Sequence, residues 1–175
     1  GGTFDPIHLG HLHVITQLIE KNLVDQLLVV PAGMPLLREN APIATGQQRR
    51  AMCQLALADL PTEVATKVQV NPIEILRTGP SYAIDTVEAV AQNYPDDTIV
   101  LVIGQDAADK LEQWHRIDEL RAMVEFLVIG RPGFAGNGVD IGALDVAATT
   151  IRQGLSADVS SSVAAFIREN NLYDN

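Results

Sequence analysis

An α/β fold, a doubly wound parallel sheet with helices on both faces, is what this chain of 175 residues predicts. Three observations lead there. Short apolar runs alternate with stretches of helical periodicity, the order expected when crossovers return a chain to parallel strands. The clearest run, residues 99–103, is apolar without interruption, as in a strand covered on both faces. Three glycine-bearing segments, Gly1-Gly2, Pro31-Ala32-Gly33 and Gly104-Gln105-Asp106, fall where strands end, the place such folds bind their ligands.

The elements follow in order. From Gly10 the pattern is helical, with Leu12, Ile15 and Ile19 on one stripe and Val14 and Leu18 widening it. Residues 26–30 read as a buried strand. Thr45 with Gln48 makes a capping box for a helix that turns Met52, Leu55 and Ala56 inward. Residues 68–75 read as extended, with Pro72 placing part of them on an edge. Residues 82–92 are helical with Ile84 and Val87 inward. The 99–103 strand hands over to a helix near Ala107. A short helix covers 117–123, and 126–129 is a strand stopped by Gly130-Arg131-Pro132-Gly133. The last helix puts Val163, Phe166 and Ile167 together. Residues 134–157, rich in Gly, Ala and Asp, carry no clear pattern.

The length suits one domain, 1–175, closed by a helical part from about 159. Apolar residues make up 47 % and mean hydropathy is near zero, as in an ordinary globule. No apolar run reaches the length of a membrane span, and no signal peptide is expected. The single Cys53 excludes an intrachain disulfide framework and points to the cytoplasm and to buried packing. A net charge of −10 argues against nucleic-acid binding, which needs a basic face. Small anions remain compatible, held by N–H nests and a helix end.

The opening Gly1-Gly2-Thr3-Phe4-Asp5-Pro6-Ile7-His8-Leu9-Gly10-His11 carries most of the chemistry. Glycines let backbone N–H groups approach a phosphate. Asp5-Pro6 is a turn signal. His8 and His11 then stand at a helix start, on one side of it, where the macrodipole favours anions. Capping or plain packing is the alternative for both rings. A phosphate loop of this kind ordinarily follows a strand, so residues ahead of Gly1 are expected.

His8-Leu9-Gly10-His11 resembles the [H/T]-x-G-H signature of the nucleotidyltransferase superfamily, and the run from Gly1 to Leu12 most resembles its bacterial nicotinate-mononucleotide adenylyltransferases. The resemblance implies a Rossmann-like fold. It implies catalytic roles for His8 and His11, with Gly1, Gly2, Thr3 and Phe4 around ATP. Ile103-Gly104-Gln105-Asp106 with Trp114 is similar to the family's I-G-x-D…W block, which implies that Gly104 and Asp106 contact adenosine and that Trp114 stacks on the nicotinate ring. Read without the family, Asp106 either holds a ribose hydroxyl or caps a helix, and Trp114 is either a rim residue or a stacking platform.

Arg77-Thr78-Gly79-Pro80-Ser81-Tyr82, followed by Ala83 where threonine is common, resembles the R-x-G-P-S-Y-T block. It implies that Arg77, Ser81, Tyr82 and Ala83, with Gly33 and His115, bind nicotinate mononucleotide. Pro31 to Pro35 is similar to the P-x-x-x-P loop, though Leu36-Leu37-Arg38 replaces the usual His-Lys, leaving Arg38 or a further segment to supply the charge. Arg49 and Met52 match R-x-x-M. Ser160-Ser161-Ser162 resembles the I-S-S-[T/S]-x-I-R motif that holds ATP phosphates, with Val159 for Ile. Its arginine should stand at 165, where the chain has Ala165. Val163 to Tyr173 resembles the family's closing helix, so a segment between Ser162 and Val163 is expected.

The reaction implied is adenylyl transfer from ATP to nicotinate mononucleotide, giving nicotinate adenine dinucleotide and pyrophosphate for NAD synthesis. Magnesium would be bound mainly through ATP phosphates, with no dedicated protein ligands. Two alternatives stay open: a phosphopantetheine adenylyltransferase, which should lack the G-P-S-Y block, and a non-catalytic nucleotide-binding protein. Preference for nicotinate over nicotinamide and the oligomeric state, a homodimer being one option, are not encoded legibly.

Overall fold

The computed structural model describes residues 1–34, 41–130, 136 and 138–173. The Pro35-to-Arg38 continuation, the Arg131-Pro132-Gly133 stop and Phe134 lie outside the described residues. The chain runs α1 (Leu9–Glu20), β1 (Leu27–Val29), α2 (Gly46–Ala58), α3 (Thr62–Ala65), β2 (Val68–Val70), α4 (Ile73–Leu76), α5 (Ala83–Asn93), β3 (Val100–Gly104), α6 (Gln105–Ala108), a 3-10 turn (Leu111–Gln113), α7 (Ile117–Met123), β4 (Glu125–Ile129), α8 (Ala148–Arg152) and α9 (Ser161–Glu169).

Among the described residues, strand pairing is parallel throughout. β1 pairs with β2, Leu28 opposite Gln69, and β3 pairs with β4, Val102 opposite Leu127. The alternation along β3 and β4 shows how the faces are used. Val102 and Leu127 pack toward α1, in a cluster around Leu18, Ile129 and Ile141. Leu101 and Phe126 point the other way, onto Ile84 and Val87 of α5 and Leu120 of α7. Helices therefore cover both faces, as the uninterrupted apolar runs predict. α1 reaches both strand pairs, because Leu27 of β1 joins the same cluster at Leu18.

The larger core lies under α1, α2 and α9. Ile7, Met52, Cys53 and Val163 are fully buried there. The Cys53 thiol is pushed up to about 12 by burial, so it is an inert packing group. The capping box at α2 forms as read: Thr45 Oγ1 accepts from Gln48 N at 3.2 Å, and Gln48 Oε1 accepts from Thr45 N at 2.9 Å.

One stretch departs from the reading. Residues 68–75 are extended only through Val70. Asn71 Oδ1 accepts from Ile73 N at 3.1 Å, an Asx turn that starts α4 with Pro72 as its N-cap. Proline ends the strand by opening a helical turn, and β2 pairs on one side only, with β1, among the described residues.

Candidate active site

The site starts at the first turn of α1. His8 is the N-cap, with extended backbone. Its main-chain N–H donates to Nδ1 of His11 at 3.2 Å, so an imidazole fills the place a Glu or Gln takes in a capping box. The bond occupies the Nδ1 lone pair, which puts the proton of the neutral His11 ring on Nε2. The two rings stack with centroids 3.7 Å apart, and Phe4 meets His11 edge-on at 4.9 Å. His8 is buried, and desolvation lowers its pKa to about 4 against an opposing pull from Asp158. His8 is therefore neutral near pH 7. Among the described residues its buried Nδ1 has no hydrogen-bond partner.

Gly10 sits between the imidazoles for a steric reason. A Cβ there would stand 3.1 Å from the His8 ring and 3.3 Å from Cβ of Val146. The glycine loop is anchored on the strand-end backbone: Gly2 N donates to Val30 O, and Ala32 N donates to Gly2 O at 2.8 Å. A Cβ on Gly2 would press on the Phe4 ring at 3.0 Å.

An apolar gap of about 580 Å³ separates β1 from β3 along their whole length, from Thr98 at one end to Asp106 at the other. Its walls are apolar, with Leu27, Val29, Leu101 and Ile103. Polar groups stand at both ends, Tyr94, Asp97 and Thr98 before β3 and Gln105 and Asp106 after it. Gly1, Phe4, His8, His11, Gly104 and Asp106, six of the residues expected around ATP, are among those that border the gap. A Cβ on Gly104 would touch nothing within 4 Å, leaving open space beyond the end of β3.

The residues expected around the second nucleotide form a separate network. Arg77 Nη1 donates to Ser81 Oγ at 2.8 Å and to Thr86 Oγ1 at 3.4 Å, and Thr86 Oγ1 donates to Glu74 Oε1 at 2.8 Å. Arg77 is thus turned back to brace its own loop. Gly79 has φ +85°, a conformation that favours glycine. Tyr82 caps α5 ahead of Ala83, and its ring meets His115 at 4.3 Å. Trp114 is half-buried on the Ile84–Leu120 cluster. Gly33 lies against this network so closely that a Cβ would fall 2.0 Å from Glu74 O.

Arg49, matched in sequence only as part of R-x-x-M, is a structural centre. It is 2 % exposed. Nη1 donates to Thr3 O at 2.7 Å, Nη2 to Gly33 O and Nε to Ala44 O, both at 3.3 Å. The signal was available: Arg49 lies on the buried stripe with Met52, Cys53 and Ala56.

The triple serine requires a correction. Ser160 is the N-cap of α9, and Ser162 donates from N and Oγ to the Asp59 carboxylate at the end of α2, the latter at 2.7 Å. Those bonds hold Asp59 below its usual range. Ser160, Ser161 and Ser162 do not line the cleft; Val146 does. Val146-Ala147-Ala148-Thr149-Thr150-Ile151-Arg152 keeps the spacing of I-S-S-[T/S]-x-I-R, alanines replacing the two serines, and it ends in the arginine missed at 165. Arg152 Nη1 donates to Asp5 O at 2.7 Å. α9 continues unbroken from Ser162 into Val163, so no intervening segment is needed. The terminal Ile-Arg pair was the overlooked signal.

The cytidylyltransferase-like family model matches residues 1–165. The chain is 34 % identical over 185 aligned residues to a probable nicotinate-nucleotide adenylyltransferase of Shouchella clausii, covering 99 % of this chain and 94 % of that protein. It is 30 % identical to the nicotinate-nucleotide adenylyltransferase of Bacillus subtilis, covering 99 % and 96 %. Its fold matches the Plasmodium falciparum nicotinic acid mononucleotide adenylyltransferase complexed with NaAD, with TM-score 0.81, 18 % identity, and 99 % and 95 % of the two chains covered.

Proposed function

The chain belongs to the cytidylyltransferase-like family, and from that membership and the site geometry we infer that it is a nicotinate-nucleotide adenylyltransferase. It transfers the adenylyl group of ATP to nicotinate mononucleotide, in NAD biosynthesis. The observation that carries this reading is the stacked His8–His11 pair at the start of α1, with Gly104 and Asp106 at the end of β3 bordering the same gap.

The 5′-phosphate of nicotinate mononucleotide attacks the α-phosphorus of ATP. The new P–O bond forms as the bond to the β-phosphate bridge breaks, and pyrophosphate leaves with the electron pair. The attacking phosphate is already ionised, so the protein's task is positioning and charge stabilisation. Nε2–H of His11 donates to the triphosphate as charge builds on the leaving group. Such a donor in a dry site contributes about 3–4 kcal/mol. Neutral His8 adds dipolar stabilisation without a second full charge. The Gly1-Gly2-Thr3 backbone borders the phosphates, and Arg152 supplies a cation beside the loop. Gly104 and Asp106 border the adenosine half. The loop of Gly33, Arg77, Ser81, Tyr82 and Ala83, with Trp114 and His115, takes the pyridine nucleotide.

Magnesium fits as a passenger on ATP. It prefers oxygen ligands and keeps several waters. Asp97 and Asp106 both line the gap, just before and just after β3, and the imidazoles are poor magnesium ligands. Bound with ATP, the ion would supply charge neutralisation at the phosphates, while His11 and the Gly1-Gly2-Thr3 loop hold them. The single cysteine and the nucleotide substrates agree with a cytoplasmic site of action.

Pyrophosphate release tests the reading directly. Release with ATP and nicotinate mononucleotide supports it. Release only with phosphopantetheine, or none with either acceptor, refutes it.

A further inference from the structure

Asp5 is the point where distant parts of the chain grip the glycine loop. It is 3 % exposed. Its Oδ2 accepts from Ile43 N at 2.9 Å, and its Oδ1 accepts from Ala44 N at 3.0 Å. Oδ1 also accepts from the hydroxyl of Tyr173 at 2.8 Å, across 168 positions of sequence. The carbonyl of the same residue accepts from Arg152. Two residues earlier, Thr3 O accepts from Arg49. The loop that leads into His8 is therefore held by side chains from α2, α8 and the chain beyond α9.

We propose that Tyr173 is a positioning residue for adenylyl transfer, acting through Asp5 to fix the loop that carries His8 and His11. The inference rests on the transferase reading above. The Tyr173 hydroxyl is spent on Asp5 Oδ1, so it works through the carboxylate. The Asp5 carboxylate has to satisfy two backbone N–H groups of residues 43 and 44 as well as the phenol. Removing the phenol leaves Oδ1 with a single donor and lets the carboxylate swing toward the 43–44 backbone. The peptide from Asp5 to His8 is short, and a shift at Asp5 is passed to the imidazole pair. Burial, then the bond to Asp5, raises the Tyr173 pKa, so the phenol stays a donor at working pH. Tyr173 follows Leu172, which is buried in the main core beside Val163. The hydroxyl is thus delivered by a packed anchor and not by a loose tail.

The test compares wild type, Tyr173→Phe, Asp5→Asn and the double variant. It measures kcat and KM for both substrates, Tm, and amide exchange of residues 2–4 with ATP present. Tyr173→Phe should lower kcat about 10-fold, since small misplacements of reacting groups are costly in rate. KM for nicotinate mononucleotide should stay within about twofold, and Tm should fall by no more than about 2–4 °C. Exchange of residues 2–4 should quicken. In the Asp5→Asn background the same change should cost less than about threefold, because neighbours acting through one group are not additive. Unchanged kcat in Tyr173→Phe, or an undiminished loss in the Asp5→Asn background, overturns the proposal. If wild type releases no pyrophosphate, the transferase reading fails on its own. The exchange arm then decides: faster exchange of residues 2–4 upholds the link from Tyr173 to the loop, and unchanged exchange ends it.

Discussion

The ring of His8 lies 3.7 Å from the ring of His11 with their planes inclined by 24°, while the backbone N–H of the first donates to Nδ1 of the second. The pair is one unit, built by the start of a helix. A proton added to either ring places a cation against its neighbour in a partly dry setting. Burial of the His8 ring holds its pKa low, and the first prediction follows from that.

Stability should fall in mild acid. His8 titrates near 4 in the folded chain, below its ordinary value of 6.5, because burial opposes the charge. The unfolded chain then binds the proton first. Stability is complete above about pH 6.5, declines as pH drops toward 4, and has lost on the order of 3 kcal/mol from this group below that. Urea unfolding from pH 7 to pH 4.5 should show the slope in wild type and a flatter one in His8→Gln. Equal slopes would remove His8 as the cause.

His11→Ala should lower turnover about 100-fold or more while ATP still binds. The readouts are steady-state pyrophosphate release and an ATP titration. Wild-type turnover in this variant would refute the donor role of Nε2.

Gly10→Ala should separate stability from rate. Alanine favours a helix by about 1 kcal/mol over glycine. Yet the new methyl would stand 3.1 Å from the His8 ring and 3.3 Å from Val146. The crowding offsets the propensity gain, so Tm should move by only a few degrees. Displacement of the His8 ring should lower kcat about 10-fold. A fully active variant with raised Tm would show that the imidazole yields freely.

Ser162→Ala and Arg152→Gln distinguish the two places where a phosphate-holding motif can be read. Ser162 binds Asp59, away from the cleft. Its loss should cost about 1 kcal/mol of stability and leave kcat and KM for ATP intact. Arg152→Gln should raise KM for ATP and lower kcat, together about 10-fold or more in kcat/KM. The opposite pattern would restore the serines to the site.

Much of this was written in the sequence at short range. The 99–103 run is a strand because five apolar residues in succession suit a position covered twice, and the pairs Val102–Leu127 and Leu101–Phe126 face opposite layers. The His8–His11 spacing places two rings on one turn whatever surrounds them. Other features escaped for equally local reasons. Ala147 and Ala148 occupy motif positions where hydroxyls were sought, so the nearby serines at 160–162 drew the assignment away from Arg152. Asn71 and Pro72 end a strand that composition alone would have prolonged. The bond from Tyr173 to Asp5 has no trace in either segment, since it exists only after α2, α9 and α1 share a core.

Arg49 touches the carbonyls of Thr3 and Gly33 with the two arms of one planar fork. Those carbonyls belong to the stretches assigned to the two different nucleotides. A rigid group shared in this way gives both substrates a common datum: the order that one imposes on its loop is already in place when the other arrives. Thermodynamic reciprocity then demands that whatever factor ATP contributes to the affinity for nicotinate mononucleotide returns unchanged in the reverse titration.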